Sequence, residues 1–101
     1  MAADLIIDPD VEDDTARAYS WYEDRRPGLG EELLGCVEAC FETIRRTPEV
    51  HRVVYKSYRR ALVRRFPFAV YYEYTTDTNT VTVYVVIHTA QDPKAWRERL
   101  P

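Results

Sequence analysis

The apolar residues of this chain keep two different periods, and the change from one to the other near residue 52 limits the folds open to it. On the N-terminal side Val11, Thr15, Ala18 and Tyr22 recur in steps of four, three and four. Leu33, Val37, Cys40 and Ile44 repeat the pattern, widened by Leu34 and Phe41. Both sets are stripes of amphipathic helices. On the C-terminal side Val53–Tyr55, Tyr58–Phe66, Ala69–Thr75 and Thr80–His88 are dense in Val, Tyr, Phe and Thr, the residues that fit a pleated surface. Neither half buries its apolar surface alone, so the helices are expected on one face of an antiparallel sheet, an α+β arrangement.

The boundaries follow from local chemistry. Asp4 to Ile7 reads as a first strand, closed by Asp8 as a helix cap and Pro9 at the first helical position, where a missing N–H costs nothing. Asp10, Glu12, Asp13 and Asp14 then oppose the positive end of the helix dipole, which accounts for their acidity without a functional site. This helix is expected to run to about Arg26, where Pro27-Gly28 ends it. A second begins around Gly30, places Arg45 and Arg46 at its negative end and stops at Thr47-Pro48. The short turn between them makes an antiparallel helical hairpin. Three or four antiparallel strands follow, with the tightest turn at Asp77-Thr78-Asn79. Val81, Val83, Val85 and Ile87 then alternate onto the face expected to meet the helices, with Tyr84 and Val86 on the other. That second face is expected to stay open and partly apolar, a binding groove that also offers a surface for homodimerisation. Asp92-Pro93 opens a short terminal helix containing Trp96 and ending near Leu100.

A chain of 101 residues supports one core, hence one domain over residues 1–101, and 46% hydrophobic with 31% charged residues excludes disorder. No apolar run approaches the ~20 residues of a membrane span, and Asp4 and Asp8 bracket the only apolar stretch near the N-terminus, so no membrane partner and a cytoplasmic location are expected. Helical spacing sets Cys36 and Cys40 about 5–6 Å apart at Cβ, beyond the ~3.5–4.5 Å of a disulfide, so both are read as packing residues. There is no glycine-rich phosphate loop, no metal-ligand pair at helical spacing and no nucleophile elbow around Ser20 or Ser57, so neither cofactor nor metal is expected.

Charge is distributed unevenly. Residues 1–50 carry five arginines against thirteen carboxylates, while residues 51–101 carry nine cations against four acids. Arg52, Lys56, Arg59, Arg60, Arg64 and Arg65 follow one another with no acid between them. Alternation along Tyr58–Phe66 puts Arg60 and Arg64 on one face and Arg59 and Arg65 on the other. Such a strand serves either as a solvated edge paired with the acidic half or as a site for phosphate or acidic peptide, whose oxygens match guanidinium forks. Tyr71, Tyr72, Tyr74 and Tyr84 fit sheet packing better than base stacking. His88 is the better acid–base candidate of two histidines, although bonding the turn into Asp92-Pro93 is its simplest role. His51 lies on a polar loop.

The string Trp21-Tyr22-Glu23, Pro27-Gly28-Leu29-Gly30, Arg59-Arg60-Ala61-Leu62, Arg65-Phe66-Pro67-Phe68-Ala69-Val70-Tyr71-Tyr72, His88, Asp92-Pro93, Trp96 and Arg97 resembles the RelE/ParE toxin superfamily over nearly the whole chain, in its ParE-like, plasmid-stabilisation branch. The resemblance implies the toxin of a type II toxin–antitoxin module, a small α+β domain bound by a cognate antitoxin. RelE-like members cut mRNA on the ribosome with sheet arginines and a C-terminal aromatic acid–base; ParE-like members poison DNA gyrase without cutting RNA. By the same resemblance the nuclease arginines fall on Ala69 and near Gln91, and the terminal tyrosine falls near Trp96 and Arg97, where an indole cannot move a proton. A noncatalytic gyrase inhibitor is therefore expected, with antitoxin or target meeting Arg59, Arg60, Arg64, Arg65, Tyr72 and Tyr84. The alternatives are a ribosome-dependent nuclease built from Arg60, Arg64 and His88, or a degenerate member that only binds antitoxin. Val83→Asp is expected to unfold the domain by placing a carboxylate on the helix-facing side of the sheet, checked by circular dichroism and melting.

Overall fold

The computed structural model describes residues 1–101. Strand β1 (Asp4–Ile7) leads directly into helix α1 (Pro9–Arg25), where Asp8 accepts the Asp10 N–H at 2.9 Å and Pro9 occupies the first turn. Helix α2 (Leu29–Arg46) returns antiparallel after a turn built by two glycines and one acid. Gly28 takes φ 91°, a left-handed conformation that suits glycine, and Glu23 accepts N–H bonds from Gly28 and Gly30 through Oε1, each at 2.9 Å. A carboxylate thus sits on the positive end of α2. At Gly30 a Cβ would lie 2.9 Å from the Tyr19 carbonyl oxygen, so the helices meet there only because no side chain intervenes.

The sheet follows as β2 (Val53–Tyr55), β3 (Tyr58–Leu62), β4 (Phe68–Thr75) and β5 (Thr80–His88), before a short helix α3 (Pro93–Arg97). Its spatial order is β1-β5-β4-β3-β2, antiparallel throughout except that β1 pairs in parallel with β5. Val11, Leu33, Val37 and Ile44 from the hairpin pack on Val70, Tyr72, Val81 and Val83 from the two central strands. Burying each such aliphatic side chain contributes about 1.5–3 kcal/mol.

The strict alternation expected along β5 breaks after Val83. Tyr72 pairs with Val83 and Tyr71 with Val85, which leaves Tyr84 as an extra residue, a β-bulge. A one-residue slip exchanges faces, so Val86 joins the helix-side core, while Val85 packs with Ala69, Tyr71 and Trp96 on the far side, and Ile87 rests against that second cluster. The far face is also less open than the strand pattern implies, because α3 lays Trp96 across it.

The basic strand is shorter than expected. It stops at Leu62, and the chain turns through Val63–Pro67 with Arg65 at φ 70°, so Arg64 and Arg65 stand on a loop and not on opposite strand faces. Val63 and Phe66 are both buried, so their apolarity prolongs the strand pattern in the sequence although they serve the loop. Their place in the core, with the Val63 N–H bonded to the Phe68 carbonyl at 2.9 Å, sets the five-residue turn.

One charged side chain is buried, Asp14, and it compensates for an interrupted ladder. β1 pairs with β5 only as far as Val83, and beyond that point no strand covers this edge of β5. Asp14 Oδ2 accepts the Val86 N–H at 3.0 Å. The same carboxylate binds Arg99 in bidentate fashion at 2.6 and 2.9 Å and accepts from Arg17 at 3.0 Å. Helix α1, the bulged strand and the C-terminal segment meet at this one group. Asp14→Ala is expected to cost about 3 kcal/mol, because it strands both the Val86 amide and a partly buried guanidinium, whereas Asp14→Asn retains an acceptor and loses less. Urea unfolding of the two variants measures the difference.

Candidate functional site

The far face of the sheet and α3 enclose a cleft of about 350 Å³ lined by Arg60, Tyr71, His88, Gln91, Trp96 and Arg97, with Val54, Thr89 and Pro93 completing its wall. No carboxylate lines it. Arg60 comes from β3, whose alternation turns Tyr58, Arg60 and Leu62 away from the helices, and it lies opposite Tyr71 in the ladder. Arg97 comes from α3, with its guanidinium 5.4 Å from the Tyr55 ring centre and 5.2 Å from that of Trp96. Trp96 stacks on Tyr71 at 4.3 Å with the rings 16° apart, and Tyr55 meets it edge-on at 6.1 Å. Two guanidiniums on an aromatic floor form a site suited to an anionic group.

His88 stands at the end of β5, against Phe68 at 5.3 Å between ring centres, and borders this cleft. Its Nδ1 accepts the Ala90 N–H at 3.0 Å, which ties this ring nitrogen to the following turn. Trp96, buried beside it, offers only an indole N–H.

The remaining residues singled out by the sequence go elsewhere. Arg59 points to the helix side and donates from Nη1 to the Glu49 and His51 carbonyls at 3.0 and 2.7 Å, fixing the loop before β2. Arg65 donates to Glu32 at 2.9 Å; Glu32 also accepts from Arg26, and these two bonds, Arg65 first, hold its carboxyl below the usual range. Arg64 is exposed on the same loop and forms no salt bridge. Tyr84, the bulge residue, packs edge-on to Tyr58 at 5.8 Å, while the Tyr58 hydroxyl donates to the Pro101 carbonyl at 2.6 Å. Of the six residues expected to form one binding surface, only Arg60 lines the cleft.

Tyr72 belongs to the interior. It is fully buried, its hydroxyl donates to the Pro48 carbonyl at 2.7 Å, and burial pushes that hydroxyl up to about 12. Its single proton is thereby committed, so at 3.2 Å the hydroxyl oxygen accepts from His51 Nδ1. Burial, and then the nearby Arg59 charge, hold His51 below its ordinary value. Cys40 is likewise interior, with burial raising its thiol to about 11, in keeping with packing and not reactivity. No group of three or more His, Cys, Asp or Glu side chains is arranged to hold a metal ion, and no helix is long and apolar enough to cross a membrane.

The residues that sequence reasoning passed over are Asp14, Glu23, Arg97 and Arg99. Asp14 lay inside an acidic run already accounted for by the helix dipole, and its distinguishing partner is 85 positions away. Arg97 carried a signal of a kind, as a cation beside the single tryptophan of the terminal helix.

Comparison with known proteins gives consistent results. A family described as ParE toxin of type II toxin–antitoxin system, parDE, matches residues 5–93. Toxin ParE2 from two strains of Mycobacterium tuberculosis is 30% identical over 96 residues, spanning 94% of this chain and 90% of the relative. The fold resembles that of Escherichia coli toxin RelE, an arginine-to-alanine double mutant in the free state, with a TM-score of 0.71 and 15% identity over 98% of this chain and 95% of that one.

Tyr72→Phe is expected to lower stability by about 1–3 kcal/mol, since it leaves the Pro48 carbonyl and His51 N–H unpartnered. A linked pH effect has a definite sign. His51 binds its proton more weakly folded than unfolded, so the stability it contributes is complete above its unfolded value of about 6.5 and is lost as pH falls through the folded value. Urea midpoints should therefore drop between about pH 7.5 and pH 5, less steeply in His51→Gln.

Proposed function

Because the chain belongs to the ParE toxin family of type II toxin–antitoxin systems, we propose that it acts as a noncatalytic inhibitor of DNA gyrase in the cytoplasm, held in check by a cognate antitoxin. The family implies the antitoxin; gyrase as target rests on the resemblance to ParE-like toxins. The observation that carries the noncatalytic reading is the engagement of His88 Nδ1 by the Ala90 N–H. Phosphodiester cleavage needs a base to activate the attacking hydroxyl, an acid for the leaving group, and cations for the charge that develops. Arg60 and Arg97 supply cations, but no carboxylate lines the cleft and one nitrogen of its single histidine is already engaged by the turn. Ala69, at the position where the resemblance places a nuclease arginine, is buried against Tyr71 and Trp96.

Ribosome-dependent mRNA cleavage is the second reading, favoured by the presence of Arg60 and His88 in one cleft. The third member of that set, Arg64, stands on the loop after β3 and does not line it. Inducing the chain in a bacterial host, while following growth, a DNA-damage reporter and bulk translation, separates the readings. Gyrase inhibition predicts arrest with a damage response and continuing translation. His88→Asn, which keeps an acceptor for Ala90 and removes the second ring nitrogen, is expected to leave toxicity unchanged, whereas loss of a general base would slow cleavage by about 10²–10⁴-fold. Immediate collapse of translation would overturn the proposal, and growth without arrest would mark a chain that only binds antitoxin.

A further inference from the structure

Beyond Val83 the edge of β5 has no neighbouring strand, and its main-chain groups have a defined polarity. Phe68 directs its carbonyl to the Val63 N–H, on the β3 side of β4, and the Thr89 N–H bonds the Pro67 carbonyl. Phe68 pairs with His88 and Val70 with Val86, so by the parity of an antiparallel ladder the main-chain groups of Val86 and His88 point away from β4. Two of those four groups are engaged: the Val86 N–H with Asp14 and the His88 carbonyl with the Gln91 N–H. The Val86 carbonyl and His88 N–H remain, an acceptor and a donor two residues apart on one edge. One residue of an added parallel strand satisfies such a pair, and β1 already pairs in parallel with β5 up to Val83 in the same lane.

The lane opens into a groove of about 570 Å³ between α1 and the C-terminal segment. Ala18, Tyr22 and Phe68 give it an apolar floor, and Trp21, about half exposed at its rim, stacks under Arg25 at 3.2 Å from the ring centre. The one carboxylate in its lining, Asp14, is shared by Arg99 and Arg17, which leaves an excess of positive charge, and the Arg17 side chain is 71% exposed.

We propose that this lane is the docking site for an extended segment of the antitoxin, which adds a short strand to β5 beyond β1, drops an apolar side chain between Ala18, Tyr22 and Phe68, and sets an acidic side chain against Arg17. Main-chain bonds supply affinity and the alternate side chains specificity, as in other strand additions. This rests on the reading of the chain as a type II toxin with an antitoxin partner.

The test is amide hydrogen exchange by NMR on the full chain, alone and with the antitoxin encoded beside it. In the free chain the His88 amide should exchange rapidly while its neighbours Val86 and Ile87, bonded to Asp14 and within the ladder, stay protected. On complex formation the His88 amide should slow by at least about a hundredfold. Arg17→Glu should weaken the complex about tenfold, more at low salt than at high. A complex in which His88 exchanges as fast as in the free chain overturns the lane and leaves the partner intact. Failure to form any complex overturns the partner and the lane together. Protection of His88 without antitoxin, rising with protein concentration, would instead give the lane to a second copy of this chain.

Discussion

The structure depends on the carboxylate of Asp14. A bulged strand whose neighbour ends early leaves a main-chain N–H with no ladder partner, and burying such a group unbonded costs about 1–3 kcal/mol. Asp14 reaches the Val86 amide from the second turn of α1. The charge then buried would itself be prohibitive without the Arg99 fork, which in turn brings the C-terminal segment against the sheet. The hydrogen bonds that Arg99 donates to Asp14 raise the pKa of its guanidinium further, so the cation in this pair keeps its charge. Each member of the set is tolerable only because the others are present.

The bulge divides the molecule into two environments. On one face Val81, Val83 and Val86 join a core closed by the helical hairpin. On the other, Val85 becomes the platform for Tyr71 and Trp96, and Arg97 is carried over the sheet beside Arg60. His88 sits where the two environments meet and borders both grooves. Its ring is occupied by the turn to Ala90, so at this junction it acts as a structural bracket. The cleft keeps its aromatic floor and cations and has no carboxylate in its lining.

Much of this fold was legible because the signals were local. Asp8 and Pro9, Pro27 and Gly28, and Asp92 and Pro93 mark helix ends by their own chemistry, and all three mark them where expected. The bulge was hidden because Tyr84, Val85 and Val86 are all acceptable on either face, and only the pairing with Tyr71 and Tyr72 decides which way each turns. The basic strand is shorter than its pattern for a similar reason, Val63 and Phe66 being as apolar in a loop as in a strand. At the site, the sequence displays its cations but not their distribution. Arg59 and Arg65 are consumed by neighbours that become adjacent only on folding, while Arg60 stays in the cleft with Arg97, drawn from a helix almost forty residues later.

The parallel pairing of β1 with β5 also fixes an order in time. The helical hairpin closes on itself through Glu23 and the glycines of its turn, all within one short stretch, so it can form while the rest of the chain is still being made. Of the five strands β1 is synthesised before the others, yet Asp4 and Val83 delimit a ladder whose second strand lies some seventy residues downstream. Until β5 arrives, β1 has no partner, and the apolar stripe of the hairpin has no sheet to cover it. Of these five strands the first to be made is therefore paired only when the last arrives, and the nascent chain passes through a stage with an uncovered helical hairpin.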